Sequence, residues 1–296
     1  MNSRRSFLTA LASGIGAAAL KPLGASIPLP PEVKSPLGGP IGLQLYSLRD
    51  DLAKDVPGTL ARLRSLGVRE VESVSLAGTT VEALRAALDG ADLVCRSSHM
   101  RFERVRDDIA GVIKGAKALG ATHVVCPWIA HDEKGGFTRE DALNAAVVFN
   151  EAGRMAKGDG LRFSYHPHGY EFVPAPEGTL FEAIAAHTDP ALVSFEIDIF
   201  WAKAGGGDPE QLIASHPGRV PLLHVKDMAK GLSLPPGSSH APAETNVVAG
   251  KGQLDLPAIM RAARKSGTEL YYVEDESPKP WDQIPESLAH LSALRL

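Results

Sequence analysis

The residues in this chain best suited to chemistry sit at the ends of short apolar runs. Val220–Asp227 reads V-P-L-L-H-V-K-D, an apolar segment that delivers His224 and Lys226 at its C-terminal end. Leu161–His166 runs on into P-H-G-Y-E-F and offers His166, His168 and Glu171. Val193–Asp198 supplies Glu196 and Asp198, with Trp201 three residues later, and Glu269–Glu274 ends on Glu274, followed by Asp275 and Glu276. One inward candidate from each of these four consecutive runs gives His166, Asp198, His224 and Glu274. A mixed imidazole and carboxylate set of this kind suits one catalytic divalent ion such as Mn²⁺, Zn²⁺ or Co²⁺, with positions left for substrate oxygens. Each residue also has a plainer reading: Asp198 as a cap, Glu274 as a partner for a neighbouring base, His166 or His168 as hydrogen-bonded scaffold.

Such residues converge only if the runs are strands of one closed sheet. Eight candidates recur: Ile41–Tyr46, Arg69–Val74, Leu93–Ser98, His123–Pro127, Leu161–His166, Val193–Asp198, Val220–Val225 and Glu269–Glu274. Amphipathic segments separate them. Val105, Ile109, Val112, Ile113, Ala116 and Leu119 recur at helical spacing, and Gly120 follows as a stop. Gly67, Gly160 and Gly267 hold the same place before strands 2, 5 and 8. Thr138 with Asp141 and Thr179 with Glu182 have capping-box spacing, and Asp208-Pro209 is a cap followed by proline at the first helical position. Strand and helix alternating eight times predict an α/β fold, a single-domain (β/α)8 TIM barrel over residues 41–296. A doubly wound open sheet fits less well, because L-Y-S-L-R-D stands after strand 1 where a Gly-rich dinucleotide turn would be expected. Met228–Leu254 is long and rich in Pro, Ser and Gly, which predicts a lid over the barrel mouth or an oligomer contact.

The formal charge is −4, which argues against nucleic acid as the main partner. Residues 1–25 carry Arg4, Arg5 and Lys21 without an acid, and the uncharged run Phe7–Leu20 follows the arginine pair. That arrangement resembles a twin-arginine export signal, cleaved near Ala25, and predicts a periplasmic protein with no stable membrane anchor. Residues 26–40 are Pro/Gly-rich and read as a linker. Cys95 and Cys126 lie in apolar runs and read as buried thiols.

Y-H-P-H-G-Y-E-F, F-E-I-D-I-F-W-A-K-A-G-G-G-D-P, G-R-V-P-L-L-H-V-K-D-M, G-K-G-Q-L-D and Y-Y-V-E-D together resemble the sugar phosphate isomerase/epimerase family of xylose-isomerase-like barrels. The resemblance implies a metal held by a glutamate, an aspartate, a histidine and a second glutamate at the ends of strands 5 to 8. Asp198, His224 and Glu274 match the last three, and His166 stands at the first. The ketose epimerases in this family exchange a proton between two metal-bound glutamates, of which this chain keeps only Glu274. His166 then serves as the second acid/base, or the chemistry is one-sided; Glu171 swinging in is the alternative that its spacing from strand 5 favours less. The related apurinic endonucleases need further ligands where Trp201 and Asn246 stand here, which argues against a nuclease.

The expected function is metal-assisted proton abstraction next to a carbonyl of an unphosphorylated sugar or keto-glycoside. Glu274 is the expected base, and His166 or Lys226 returns a proton or holds the developing oxyanion. Trp201 and Trp128 are expected to stack on the sugar, with His168, His99, Gln44 and Tyr46 as further contacts. A lyase or dehydratase on the same barrel and a non-catalytic exported sugar-binding module are the alternatives. Homo-oligomerisation stays open.

Overall fold

Each of the eight apolar runs forms a strand, and both faces of each strand are covered, so apolar and polar residues alternate between two buried environments. A computed structural model describes residues 32–33, 36, 40–75, 78–131 and 136–296. The strands are β1 (Ile41–Gln44), β2 (Glu70–Ser73), β3 (Val94–His99), β4 (His123–Cys126), β5 (Arg162–Tyr165), β6 (Val193–Asp198), β7 (Leu222–Val225) and β8 (Leu270–Val273). All pair in parallel with their neighbours in sequence, and β1 pairs with β8 through Ile41 and Tyr271 to close the barrel. This is the (β/α)8 architecture expected of the alternation.

Residues such as Leu223, Val225, Val193, Phe195, Ile197, Tyr271 and Val273 point outward into the core shared with the helices. Inside the barrel, Val125, Leu222 and Tyr272 form a small apolar plug. Above it the inward positions turn polar: Glu72, His99, His166, Glu196, Asp198, His224 and Lys226 are all buried. The strands thus carry a dry floor and a charged layer toward their C-terminal ends.

The helix signals act where expected. Thr138 and Asp141 form a reciprocal capping box, Thr179 accepts from the Glu182 amide, and Asp208 caps the helix that opens on Pro209. Gly67, Gly120, Gly160 and Gly267 all adopt the left-handed backbone that ends a helix at little steric expense. The periodic stretch from Val105 to Leu119 differs from the reading of one helix. It is two, Phe102–Asp107 and Ile109–Leu119, because Asp108 leaves helical geometry and its carboxylate caps Gly111. The strands at β1, β2, β4, β5 and β8 stop short of the expected ends, so His166 and Glu274 sit just beyond them, while β7 ends at Val225 as expected, with Lys226 next in the chain.

The expected signal peptide, residues 1–25, lies outside the described residues. In the expected linker, Val33 accepts from Ile41 N and donates to Gly67 O, both at 3.1 Å, which ties that point to the barrel. No helix of the described residues is long and apolar enough to cross a membrane.

Candidate metal centre

His224 stands at the middle of the charged layer because β7 alternates Leu222 in, Leu223 out, His224 in, Val225 out. Its ring bridges two groups of carboxylates. Nδ1 faces Glu274 Oε2 at 3.3 Å and Asp198 Oδ2 at 3.9 Å, and Nε2 faces Glu72 Oε2 at 2.7 Å and Glu196 Oε2 at 3.3 Å.

The outer group fits a divalent ion. Ligand atoms of Asp198, His224 and Glu274 lie within 4.8 Å of one another. Asp198 spends only Oδ1 on the fold, accepting from Phe200 N and Trp201 N and so capping the following helix, as the plainer reading held. Its Oδ2 is buried without a hydrogen-bond partner, a state that a cation would relieve. One imidazole nitrogen and two carboxylates are a hard-to-borderline donor set that suits Zn²⁺, Mn²⁺ or Co²⁺. His166 is placed differently from the other three expected ligands. Its Nδ1 lies 3.1 Å from Glu196 Oε2, and it groups with His99, Glu196 and His224.

Burial raises the Asp198 carboxyl to about 6, with Lys226 pulling the other way. For Glu274 burial also raises, but Lys226 and His224 outweigh it and hold the carboxylate ionised. Burial disfavours the His99 cation, yet Glu72 and Glu196 overcome it and hold the ring at about 9. His166 moves the other way. Burial, reinforced by the charge of His224, keeps it neutral.

Above this layer opens a cavity of about 700 Å³. Tyr46, His99, Trp128, His166, His168, Trp201 and Glu274 line it, seven of the residues expected at the site. Trp128 and Trp201 both lie against His168, at centroid distances of 5.2 and 5.3 Å. The long segment after β7 covers one side with Ser239, His240, Ala241, Ala243 and Asn246. It is not wholly irregular, since Asp227–Met228 pairs with Asn246–Val247.

Two expected contacts lie beneath the lining. Gln44 is fully buried, its Nε2 on Glu72 Oε2 at 2.6 Å and its Oε1 on Tyr46 N. Lys226 is buried between Glu274 and Glu276 and faces Asp198 Oδ2 at 3.8 Å, where it acts as a fixed positive charge. Glu171 is locked in the interior, its carboxylate accepting from Tyr165 O–H and His168 N, so it holds the His168 turn.

The sequence reading passed over Glu72 and gave Glu196 no role. Both are fully buried in the centre of the site. A signal was available in E-V-E at Glu70–Glu72: a strand covered on both faces that still alternates acid and valine must turn its acids into the barrel.

No curated protein matches the chain. A sugar phosphate isomerase/epimerase from Parabacteroides distasonis has a solved structure that superposes with a TM-score of 0.69 at 28% identity, over 86% of this chain and 93% of that one. A second Parabacteroides distasonis sugar phosphate isomerase/epimerase also gives 0.69, at 24% identity, over 86% and 98%. A xylose isomerase-like TIM barrel protein from Mycobacterium smegmatis, solved in complex with magnesium, gives 0.62 at 17% identity over 88% and 92%, and at that identity the likeness concerns the fold alone. The sequence profile of the xylose isomerase-like TIM barrels matches residues 60–294, and with the closed barrel described above this chain belongs to that family.

Proposed function

We propose that the protein is a metal-dependent sugar isomerase or epimerase that moves a proton on the carbon next to a carbonyl of an unphosphorylated sugar. The observation that carries the reading is the convergence of Asp198 Oδ2, His224 Nδ1 and Glu274 Oε2 at the floor of the cavity, with Asp198 Oδ2 unpartnered. These three residues would hold the ion. A bound divalent ion supplies Lewis acidity, which makes the carbon next to a carbonyl more acidic.

The side chains around it do the remaining work. His166 is neutral and lines the cavity from the end of β5, which suits it to take or return a proton. Glu274 lines the cavity from the end of β8 and is the second candidate for proton transfer, tempered by Lys226 beside it. Lys226 offsets the negative charge of Asp198, Glu274 and Glu276 and keeps Glu274 in place. Trp128 and Trp201 present apolar faces to a sugar ring, and His168 stands between them.

Metal analysis of purified protein together with deuterium uptake from D₂O into a series of ketoses tests this. About one divalent ion per chain, lost in His224→Ala, with deuterium entering next to the carbonyl, is expected. Absence of a bound ion, or of exchange in every sugar tried, overturns the reading and favours a sugar-binding module. Loss of a leaving group instead of exchange identifies a lyase. His166 in place of a second carboxylate is the feature that favours such one-sided chemistry.

A further inference from the structure

We infer that Glu72 and Glu196 are positioning residues that keep a proton on the nitrogen of His99, His166 and His224 that faces the barrel interior, so that the opposite nitrogens of His166 and His224 are open to substrate and metal. The inference rests on the metal-centre reading above and extends it to two carboxylates that would touch neither metal nor substrate.

The argument starts at a backbone amide. Tyr46 N–H donates to Gln44 Oε1 at 3.1 Å, which settles which end of that side-chain amide is oxygen. Gln44 must then point its NH₂ at Glu72, and it donates to Oε2 at 2.6 Å. The Ser97 hydroxyl donates to the other oxygen, Oε1. Both Glu72 oxygens are therefore acceptors, and any imidazole nitrogen against them must carry hydrogen. His99 Nε2 lies 3.0 Å and His224 Nε2 2.7 Å from Glu72 Oε2.

Glu196, in its ionised form, brings in a third ring. His99 Nε2 at 2.7 Å, His166 Nδ1 at 3.1 Å and His224 Nε2 at 3.3 Å all face its Oε2. A carboxylate oxygen has two lone pairs and cannot serve three imidazoles well. Glu72 Oε2 shares His99 and His224 with it, so the two acids together face the three rings.

A singly protonated ring whose N–H faces inward has its lone pair on the outward atom. For His224 that atom is Nδ1, which faces Asp198 and Glu274 and would hydrogen-bond to the Glu274 carboxylate at 3.3 Å until a bound ion took the place of that proton. For His166 the outward atom is Nε2, which has no protein hydrogen-bond partner among the described residues, and the ring lines the cavity. A carboxylate behind a metal-bound histidine fixes its tautomer and orientation, and removing it typically weakens metal binding about 10- to 100-fold.

The test uses full-length protein with ¹⁵N-labelled histidine, loaded with Zn²⁺, and two-bond ¹H–¹⁵N correlation spectra of the imidazoles. Protons on His99 Nε2, His166 Nδ1 and His224 Nε2, with His224 Nδ1 shifted by zinc, are expected. Glu72→Gln and Glu196→Gln should redistribute those protons between the ring nitrogens and lower Zn²⁺ affinity in calorimetry by about 10- to 100-fold. Wild-type spectra with any inward nitrogen unprotonated overturn the inference, and decide it even if the variants do not fold. Folded variants with unchanged tautomers and affinity overturn it too. Wild-type protein that takes up no zinc overturns the metal reading itself, an outcome distinct from zinc bound with the protons elsewhere.

Discussion

Glu72 Oε2 lies 2.7 Å from His224 Nε2, joining β2 to β7 across the interior of the barrel. Both side chains are fully buried. Burial would raise the Glu72 carboxyl, but His99 and His224 together pull it well below the usual carboxylate range. Removing one member of a buried charged group leaves the rest uncompensated. Glu72→Leu should lower stability by about 3–5 kcal/mol, read as a shift in the urea midpoint with unchanged slope. A shift within about 0.5 kcal/mol, the range of an ordinary surface change, would show that the imidazoles do not depend on this carboxylate.

Gly42 lies beneath the site, and a Cβ built there would meet the Tyr272 ring at 2.5 Å and Glu70 O at 3.0 Å. Tyr272 belongs to the apolar plug with Val125 and Leu222. Gly42→Ala should therefore act as overpacking and destabilise by about 1–3 kcal/mol. Thermal unfolding followed by circular dichroism checks it, and an unchanged midpoint would mean that the ring has room to move.

His123 gives a pH dependence away from the proposed ligands. Burial, aided by the charge of Arg162, lowers its ring to about 4, and Nε2 has no hydrogen-bond partner. The folded value lies below the unfolded one, so between about 6.5 and 4 the unfolded chain binds the extra proton. The stabilisation is complete above about pH 6.5 and is lost as pH falls toward 4, up to about 3 kcal/mol. His123→Leu should flatten the stability curve over that window, measured by urea unfolding from pH 7 to 4.5. A variant with the wild-type slope would locate the pH sensitivity elsewhere.

Asp227 anchors both ends of the segment that covers the cavity. Its Oδ1 accepts from Met228 N at 2.8 Å and Leu254 N at 3.3 Å, and its Oδ2 from Gly250 N at 2.8 Å and Gly252 N at 3.0 Å. A Cβ at Gly252 would sit 2.0 Å from Oδ1, which accounts for the second glycine of G-K-G. Asp227→Ala should release the segment and raise its rate of limited proteolysis within residues 229–245, with each buried amide left unpaired costing about 1–3 kcal/mol. Cleavage at the wild-type rate would argue that the pairing of Asp227–Met228 with Asn246–Val247 holds it unaided.

Trp128→Ala and Trp201→Ala should weaken binding of a substrate sugar, each by about 0.5–1.5 kcal/mol, while leaving metal content unchanged. Calorimetry with sugar and elemental analysis separate the two effects. Loss of metal in Trp201→Ala would instead show that the indole helps to hold the helix start whose amides Asp198 caps.

The amino-acid sequence determined the barrel and most of its mouth. Eight apolar runs, the glycines that end helices and the caps that begin them are local signals, because steric freedom at Gly67 or Gly267 and the Thr138–Asp141 pairing depend on a few adjacent residues. His166, Asp198, His224 and Glu274 were legible as strand-end chemistry for the same reason. Tertiary structure decided which nitrogen of each ring faces which acid. It also decided the place of His99. The pairing of β2 with β3 passes from Val71↔Cys95 to Glu72↔Ser97, leaving Arg96 as an extra residue. That irregularity reverses the alternation, so Ser97 turns inward with Glu72, and His99 two residues later. No local pattern announces it, since a register is a property of two strands at once, and the Glu72–His224 contact spans 152 positions of chain.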